Sequence, residues 1–121
     1  MNGAIGQVVY AQLAGRVPQG REQEGRRPCI VIGDPPLTGR TRFGVVAVVP
    51  LTTFRAQPWQ AANTLLYPVF SAGMGGISVD SVALIDQAQV VDVGRISSVI
   101  GTLSQAEYEP VEAGLRQMCD L

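Results

Sequence analysis

The sequence contains no histidine, and its nine basic residues are all arginines. Without histidine the chain lacks the commonest metal ligand and the only side chain whose unperturbed pKa lies near neutral pH. The two cysteines, Cys29 and Cys119, are far apart and form no CxxC pair, so the sequence gives no support to a disulfide framework or a zinc site. We expect both thiols to be free and buried.

Long apolar stretches are also missing. The longest apolar run, 43–51, contains a proline and is far shorter than the roughly 20 residues that a membrane-spanning helix needs. Residues 1–4 lead directly into strand-like sequence, without the charged and apolar segments of a secretory signal. We therefore expect a cytoplasmic protein that makes no contact with a membrane.

The length and composition suit one small folded domain. Domains typically contain roughly 100 to 150 residues, and this chain has 121. Hydrophobic residues make up 46% of the sequence and charged residues 16%, which is enough apolar material for a packed core. We predict a single domain over residues 1–121.

The charges are distributed unevenly along the chain. The first 55 residues carry a net charge of +4 and the remainder −5, so the formal net charge of −1 conceals a polarised molecule. Arginine matches the geometry of phosphate oxygens better than lysine does, because its guanidinium group offers a planar fork of donors. The first half is therefore the expected side for an anionic partner.

Short apolar segments separated by turn signals predict a mainly β fold. Residues 14–26 carry charges, glycines and a proline without apolar periodicity, and they predict a loop. Ser104 and Glu107 match a helix capping box, which predicts a C-terminal helix whose start is delayed, or whose axis is bent, by Pro110. We expect a small, partly open barrel with this helix. The predicted strands cover 6–13, 28–33, 42–49, 63–70, 78–85 and 89–93.

The densest polar cluster, residues 20–28, runs directly into the first core strand. Arg27 precedes Pro28 and the apolar run 29–32, so its backbone is anchored while its side chain lies at the rim. Thr52 and Thr53 follow the core run at the end of the next strand. If these two strands are antiparallel neighbours, Arg27 lies close to Thr52, and the pair could bind one phosphate. Asp86 and Gln87 fit a simple turn and a substrate contact equally well.

These segments resemble motifs of the MazF/PemK toxins of bacterial toxin–antitoxin systems. Residues 22–28, EQEGRRP, are similar to that family's EQxGxRP signature. Residues 49–53, VPLTT, resemble its strand-ending PxTT, residues 86–87 its DQ segment, and residues 101–103 the stretch before its final helix. The resemblance implies an SH3-like barrel of the CcdB/MazF type, assembled as a homodimer.

The resemblance also implies an activity. Proteins of this family cleave single-stranded RNA, including mRNA, at short sequence motifs, which inhibits translation and growth, and a cognate antitoxin covers their site. The ribose 2′-hydroxyl attacks the adjacent phosphate and leaves a 2′,3′-cyclic phosphate and a 5′-hydroxyl. The family uses no metal ion or other cofactor, and we expect none here.

Roles for individual residues follow from the same resemblance. Arg27 and Thr52 match the catalytic arginine and threonine. Because arginine remains protonated at neutral pH, its stronger role is to stabilise negative charge or to protonate the leaving 5′-oxygen. The general base is left open, with Glu22 as the only nearby side chain of suitable type. The residues expected to bind substrate are Glu22, Gln23, Arg26, Thr53 and Gln87.

Two alternatives remain at this stage. A gyrase inhibitor of the CcdB type has the same fold, acts by binding a protein, and needs no catalytic arginine. A catalytically silent barrel that only binds RNA or a partner protein is the other alternative.

Overall fold

A computed structural model describes residues 1–15 and 17–121 of the chain. Within these residues, seven antiparallel strands form one open sheet, accompanied by two α-helices. This confirms the predicted mainly β, partly open barrel with a C-terminal helix. The strands are β1 (Gln7–Leu13), β2 (Gly25–Gly33), β3 (Val45–Thr53), β4 (Val69–Phe70), β5 (Ser81–Ala83), β6 (Gln89–Asp92) and β7 (Ile96–Thr102), and the helices are α1 (Pro58–Ala62) and α2 (Gln105–Cys119).

The strand β2 begins earlier than the sequence predicts. It starts at Gly25 instead of Pro28, because β1 pairs with it as far as Leu13 opposite Gly25. The ladder between β2 and β3 ends at Cys29 opposite Pro50, so residues 25–28 have only β1 as a partner. Pro28 therefore lies where β2 has only one neighbouring strand. Such an edge position tolerates proline, which has no backbone N–H to donate.

The strand β3 changes partners along its length. Residues 45–48 pair with β6 on one side, and the stretch from Ala47 to Pro50 pairs with β2 on the other. From Leu51 to Thr53 the strand pairs with β5, which takes the place of β6, and it no longer pairs with β2. We call the place where β2 (residues 25–28) and β3 (residues 51–53) separate the strand junction. Thr52 and Thr53 thus belong to the strand itself, which extends beyond the predicted end at residue 49.

The sheet buries apolar side chains on both faces. On the helix face, Val8, Ile30 and Leu51 pack in one cluster with Tyr108 and Val111 of α2. On the second face, the alternate residues of the same strands form another cluster, which includes Val9, Ala11, Cys29, Val31 and Val48. Side chains of a strand alternate between the two faces. A strand residue that is an even number of positions from one of these core residues therefore lies on the same face.

Several predicted elements differ from the observed ones. The predicted strand 63–70 is reduced to β4, because Asn63 starts a turn in which its Oδ1 accepts from Leu66 N at 3.1 Å. The predicted strand 78–85 is reduced to β5. Neither α1 nor β7 was predicted, and Cys119 is exposed where burial was expected, whereas Cys29 is buried. No helix of residues 1–15 and 17–121 is long and apolar enough to cross a membrane.

The capping box of α2 is confirmed. Ser104 N donates to Glu107 Oε1 at 2.7 Å, and Glu107 N donates to Ser104 Oγ at 3.1 Å. The helix begins directly at Gln105, so Pro110 does not delay it. Gly114 lets α2 approach the turn before β4, since a Cβ there would lie 2.6 Å from Leu65 O.

Candidate active site

Arg27 is tied to the end of the β1–β2 loop. Its Nε donates to the backbone oxygen of Glu24 at 3.0 Å, and the side chain is half-buried. In the part of the chain that the structure describes, the single ion pair joins Arg116 to Glu112, so Arg27 has no carboxylate partner there. The terminal nitrogens of its guanidinium group therefore remain available to an anionic ligand.

Arg27 and Thr52 lie on the same face of the sheet. Cys29 is paired with Pro50, and Arg27 and Thr52 are each two residues further along these antiparallel strands. Side chains two residues apart share a face, so both project from the second face. Arg27 and Thr52 therefore occupy corresponding positions on the two strands, just beyond the last paired residues. The condition set in the sequence analysis, that these two strands are antiparallel neighbours, is met.

Arg26 and Thr53 lie on the helix face instead. The Arg26 guanidinium carbon is 3.9 Å from the centre of the Tyr10 ring, a cation–π geometry. Thr53, Tyr10, Pro28 and Ser81 line a cleft of about 280 Å³ that opens between the diverging strands. The structure therefore separates Arg26 and Thr53 from Arg27 and Thr52, although the sequence places them side by side.

Gln87 holds the loop that precedes Arg27. Its Oε1 accepts from Gln23 N at 3.2 Å, and its Nε2 donates to Arg21 O at 3.4 Å. Both polar groups of this side chain are therefore used by the loop. The short 3-10 turn Ile85–Gln87, at the edge of β3, thereby fixes a segment more than 60 residues away in sequence.

The side chains of Gln23 and Glu22 differ in their exposure to solvent. The side-chain oxygen Oε1 of Gln23 is buried and has no hydrogen-bond partner among residues 1–15 and 17–121. A buried acceptor without a partner costs free energy, so a ligand donor would relieve that cost. The Glu22 carboxylate is exposed and lies against Gly20.

Cys29 lies directly below Arg27 on the second face. Burial raises the pKa of its thiol to about 12, and the positive charge of Arg27 opposes this shift only in part. The sulfur is 3.5 Å from the backbone oxygen of Arg27. The thiol therefore remains protonated at neutral pH and packs as a core residue.

Sequence reasoning missed the segment that follows Thr53. Gln60 of α1 is buried, its Nε2 donates to Thr53 O at 3.3 Å, and its Oε1 accepts from Arg55 N at 2.8 Å and from Gln57 N at 3.3 Å. These bonds fasten α1 to the end of β3. The available signal was the only tryptophan of the chain, Trp59, which stands six residues after Thr53.

Excluding residue 16, which lies outside the described residues, no group of three or more Asp, Glu or Cys side chains is arranged to hold a metal ion.

Comparison with solved structures assigns the fold to the class of MazF toxins. MazF from Deinococcus radiodurans superposes with a TM-score of 0.74 at 20% identity, covering 100% of this chain and 99% of that one. The Mycobacterium tuberculosis toxin MazF-mt6 gives a TM-score of 0.67 at 19% identity, with coverage of 95% and 97%. An endoribonuclease from a mycobacterial species, in complex with its cognate antitoxin, gives 0.69 at 16% identity, with coverage of 99% and 97%.

The family model of the PemK-like, MazF-like toxins of type II toxin–antitoxin systems matches residues 4–119. The chain belongs to this family. A search among curated proteins found no match.

Proposed function

We propose that this toxin is an endoribonuclease that cleaves single-stranded RNA, including mRNA, at specific sequences in the cytoplasm. The 2′-hydroxyl attacks the adjacent phosphate, and the products are a 2′,3′-cyclic phosphate and a 5′-hydroxyl. The reaction needs no metal ion or other cofactor. The observation that carries this proposal is the shared face of Arg27 and Thr52 at the strand junction.

The chemistry assigns a distinct role to each side chain. The guanidinium group of Arg27 donates to the phosphorane oxygens, where negative charge develops in the transition state. The hydroxyl of Thr52 donates to a phosphate oxygen and holds the phosphate in line with the attacking 2′-oxygen. The bond from Arg27 Nε to Glu24 O supports this role, because it limits the motion of the guanidinium group before RNA binds.

Substrate recognition is proposed for the loop and the cleft. Gln23 offers its free oxygen to an amino group of a base. Arg26 and Thr53 contact RNA from the helix face, where the cleft between the diverging strands gives a strand room to pass. Gln87 acts by holding the loop. Glu22 can serve as the general base only if its side chain rotates from Gly20 toward the strand junction.

An antitoxin segment is the proposed inhibitor. The mycobacterial endoribonuclease with a similar fold is in complex with its cognate antitoxin. The arginines around the strand junction favour an acidic segment that competes with RNA for the same surface. Crosslinks from the antitoxin confined to the opposite side of the molecule would contradict this competition.

A homodimer is the proposed assembly. Val90 of β6 and Val99 of β7 are large apolar residues with 66% and 58% of their surface exposed. Exposed apolar side chains on short strands favour association with a second copy. Light scattering at micromolar concentration should give the mass of a dimer, and the mass of a monomer would refute this assembly.

The decisive test is cleavage of a long single-stranded transcript in EDTA. The wild-type chain should cut it at defined sites, and Arg27→Ala should cut roughly 100- to 1,000-fold more slowly. Arg40→Ala is a matched control, because it removes an exposed arginine from the turn at the far end of β2. Intact RNA, or equal rates for the wild-type chain and Arg27→Ala, would refute the proposal. Trapping of DNA gyrase with intact RNA would favour the CcdB type of activity.

A further inference from the structure

Two aromatic side chains, one from α1 and one from the segment before β4, pack against each other. The rings of Trp59 and Tyr67 meet edge to face, with centroids 5.1 Å apart and planes at 85°. Trp59 is 42% exposed although it is one of the largest apolar side chains in the chain. In an edge-to-face contact, the edge of one ring covers one face of the other ring. The remaining ring faces are therefore open to a ligand.

Polar contacts fix both rings in position. The indole Nε1 of Trp59 donates to Gln57 Oε1 at 2.8 Å, and the Tyr67 hydroxyl donates to Asp86 Oδ2 at 2.6 Å. The bond to Asp86 also raises the pKa of the Tyr67 hydroxyl, so the ring stays neutral at physiological pH. The aromatic surface is therefore preorganised.

The register of the sheet places Tyr67 on the same face as Thr52. Thr52 is paired with Val82, and Val82 with Val69, so these three residues share the second face. Beyond β4 the pairing continues through the bonds from Ala83 N to Pro68 O and from Ile85 N to Leu66 O. Leu66 packs against the helix-face cluster, whereas the Tyr67 side chain reaches Asp86, so Tyr67 projects away from that cluster.

The same bonds set the distance between the backbones of Tyr67 and Thr52. Tyr67 lies opposite Leu84, whose backbone N donates to Pro50 O, and Pro50 is two residues from Thr52. Two strand spacings of about 4.8 Å and two residues of about 3.3 Å put the Cα atoms of Tyr67 and Thr52 roughly 12 Å apart. A short single strand bound at Thr52 reaches the aromatic pair.

Both ends of the pair are joined to the candidate active site. Trp59 stands next to Gln60, which fastens α1 to Thr53 O. Asp86, the partner of Tyr67, stands next to Gln87, which holds the loop before Arg27. The aromatic pair thus has a fixed relation to both catalytic strands, as a binding subsite of the same groove requires.

We propose that Trp59 and Tyr67 form a stacking subsite for an RNA base next to the cleaved phosphodiester. This inference rests on the proposed function. Proteins bind unstacked bases by placing them on aromatic rings, and the interaction tolerates any base because each has a π face. The subsite therefore adds affinity and positions the strand, while sequence discrimination comes from hydrogen-bonding groups such as Gln23.

The first test uses fluorescence. Trp59 is the only tryptophan, so its emission reports on this subsite alone. A single-stranded 2′-O-methyl RNA of mixed sequence cannot undergo 2′-hydroxyl attack and serves as the probe. Binding should quench the emission. Trp59→Ala should bind this probe between about 5- and 150-fold more weakly, whereas Trp59→Phe should retain most of the affinity.

A matched control is another exposed aromatic residue. Phe43 is 63% exposed and lies near Arg42, before the other end of β3. Phe43→Ala should leave the affinity unchanged, and circular dichroism should show that each variant is folded. Placing an abasic nucleotide at successive positions of the probe should identify one position at which Trp59→Ala no longer has an effect.

The outcomes separate this inference from the proposed function. If the wild-type chain cleaves RNA but Trp59→Ala cleaves and binds equally well, the stacking subsite is wrong and the nuclease remains. If the wild-type chain neither cleaves nor binds RNA, both proposals are wrong. If only the antitoxin quenches the emission of Trp59, the aromatic pair is a protein interface, and the inference is overturned.

Discussion

Arg26 and Arg27 are adjacent in the sequence but project from opposite faces of β2. Arg26 stacks on Tyr10 on the helix face, whereas Arg27 is two residues from Cys29 and projects from the second face, as Thr52 does from β3. Two arginines of one motif therefore have different surroundings, and their substitutions should have different kinetic effects.

We expect Arg27→Ala to lower kcat and Arg26→Ala to raise KM. Loss of a donor aimed at the developing charge costs about 2.7 to 4 kcal/mol of transition-state stabilisation. The Arg26→Ala variant should instead lose a phosphate contact. In a plot of the logarithm of RNA affinity against the logarithm of salt concentration, its slope should be smaller by about one. Steady-state kinetics and salt titrations on both variants measure this difference. A fall in kcat that is equal for both would contradict the separation of the faces.

The hydroxyl of Thr52 should be essential, but its methyl group should not. Thr52→Ala is expected to lower kcat roughly 100-fold or more, since it removes a donor to the phosphate. Thr52→Ser retains the hydroxyl and should restore most of the activity. Thr53→Ala, on the helix face, should mainly affect RNA binding. If Thr52→Ser is as inactive as Thr52→Ala, packing explains the loss better than a hydrogen bond does.

Gln87 should act through the loop. Gln87→Ala removes the bonds to Gln23 N and Arg21 O, each worth about 1 kcal/mol, and should raise KM several-fold. Amide hydrogen exchange at residues 21–24 should accelerate at the same time. Gln87→Glu keeps the acceptor for Gln23 N and should have a smaller effect on exchange. Unchanged exchange together with a raised KM would indicate direct contact with RNA.

The two thiols should differ in reactivity. Under native conditions, a thiol reagent should modify Cys119, which is exposed, while Cys29 should react only after unfolding. Quantification of modified thiols by mass spectrometry with and without denaturant measures this. Rapid native modification of Cys29 would contradict its burial.

Cys29 should also make stability depend on alkaline pH. The folded chain, with a pKa of about 12, holds the thiol proton more tightly than the unfolded chain, with a pKa of 9.0. This contribution is fully present below pH 9.0 and is lost as the pH rises toward 12. Thermal unfolding at several pH values in this range should show that the stability of Cys29→Ala falls less steeply with pH than that of Cys119→Ala. Equal slopes would contradict the effect.

Gly114 should be required for close packing of α2. Alanine favours the helix over glycine by about 1 kcal/mol, so replacing an exposed helical glycine by alanine would stabilise the chain. At Gly114 the added Cβ would meet Leu65 O at 2.6 Å, and we expect Gly114→Ala to destabilise by about 1 to 3 kcal/mol. Ala113→Gly on the exposed side is the control and should lose only the helix propensity. Urea unfolding measures both, and a more stable Gly114→Ala variant would refute the close contact.

The parts of the fold that the sequence predicted are those with strong local signals. The alternation in β1, the apolar runs of β2 and β3, and the capping box at Ser104 each depend on neighbouring residues. The strand β7 was missed because it is an edge strand with serines and an exposed Val99, so its apolar pattern is weak. The helix α1 was missed because it has five residues and is held by the distant backbone of Thr53.

The candidate site was predicted in part for the same reason. The motifs around Arg27 and Thr52 could be paired from their positions on two neighbouring strands. Which neighbours share a face depends on the register. The place where β3 loses β2 on one side, and exchanges β6 for β5 on the other, depends on residues far apart in the sequence. The catalytic and binding roles, and the single domain over residues 1–121, stay predictions.

The buried amide of Gln60 makes the loop after Thr53 a replaceable insert. Because one side chain satisfies Thr53 O, Arg55 N and Gln57 N, the loop closes without help from the outward-facing residues around it. Chimeric chains that keep Gln60 and exchange those outward residues should retain the scaffold. Such chimeras would change what the loop presents at the surface while the sheet beneath it stays the same.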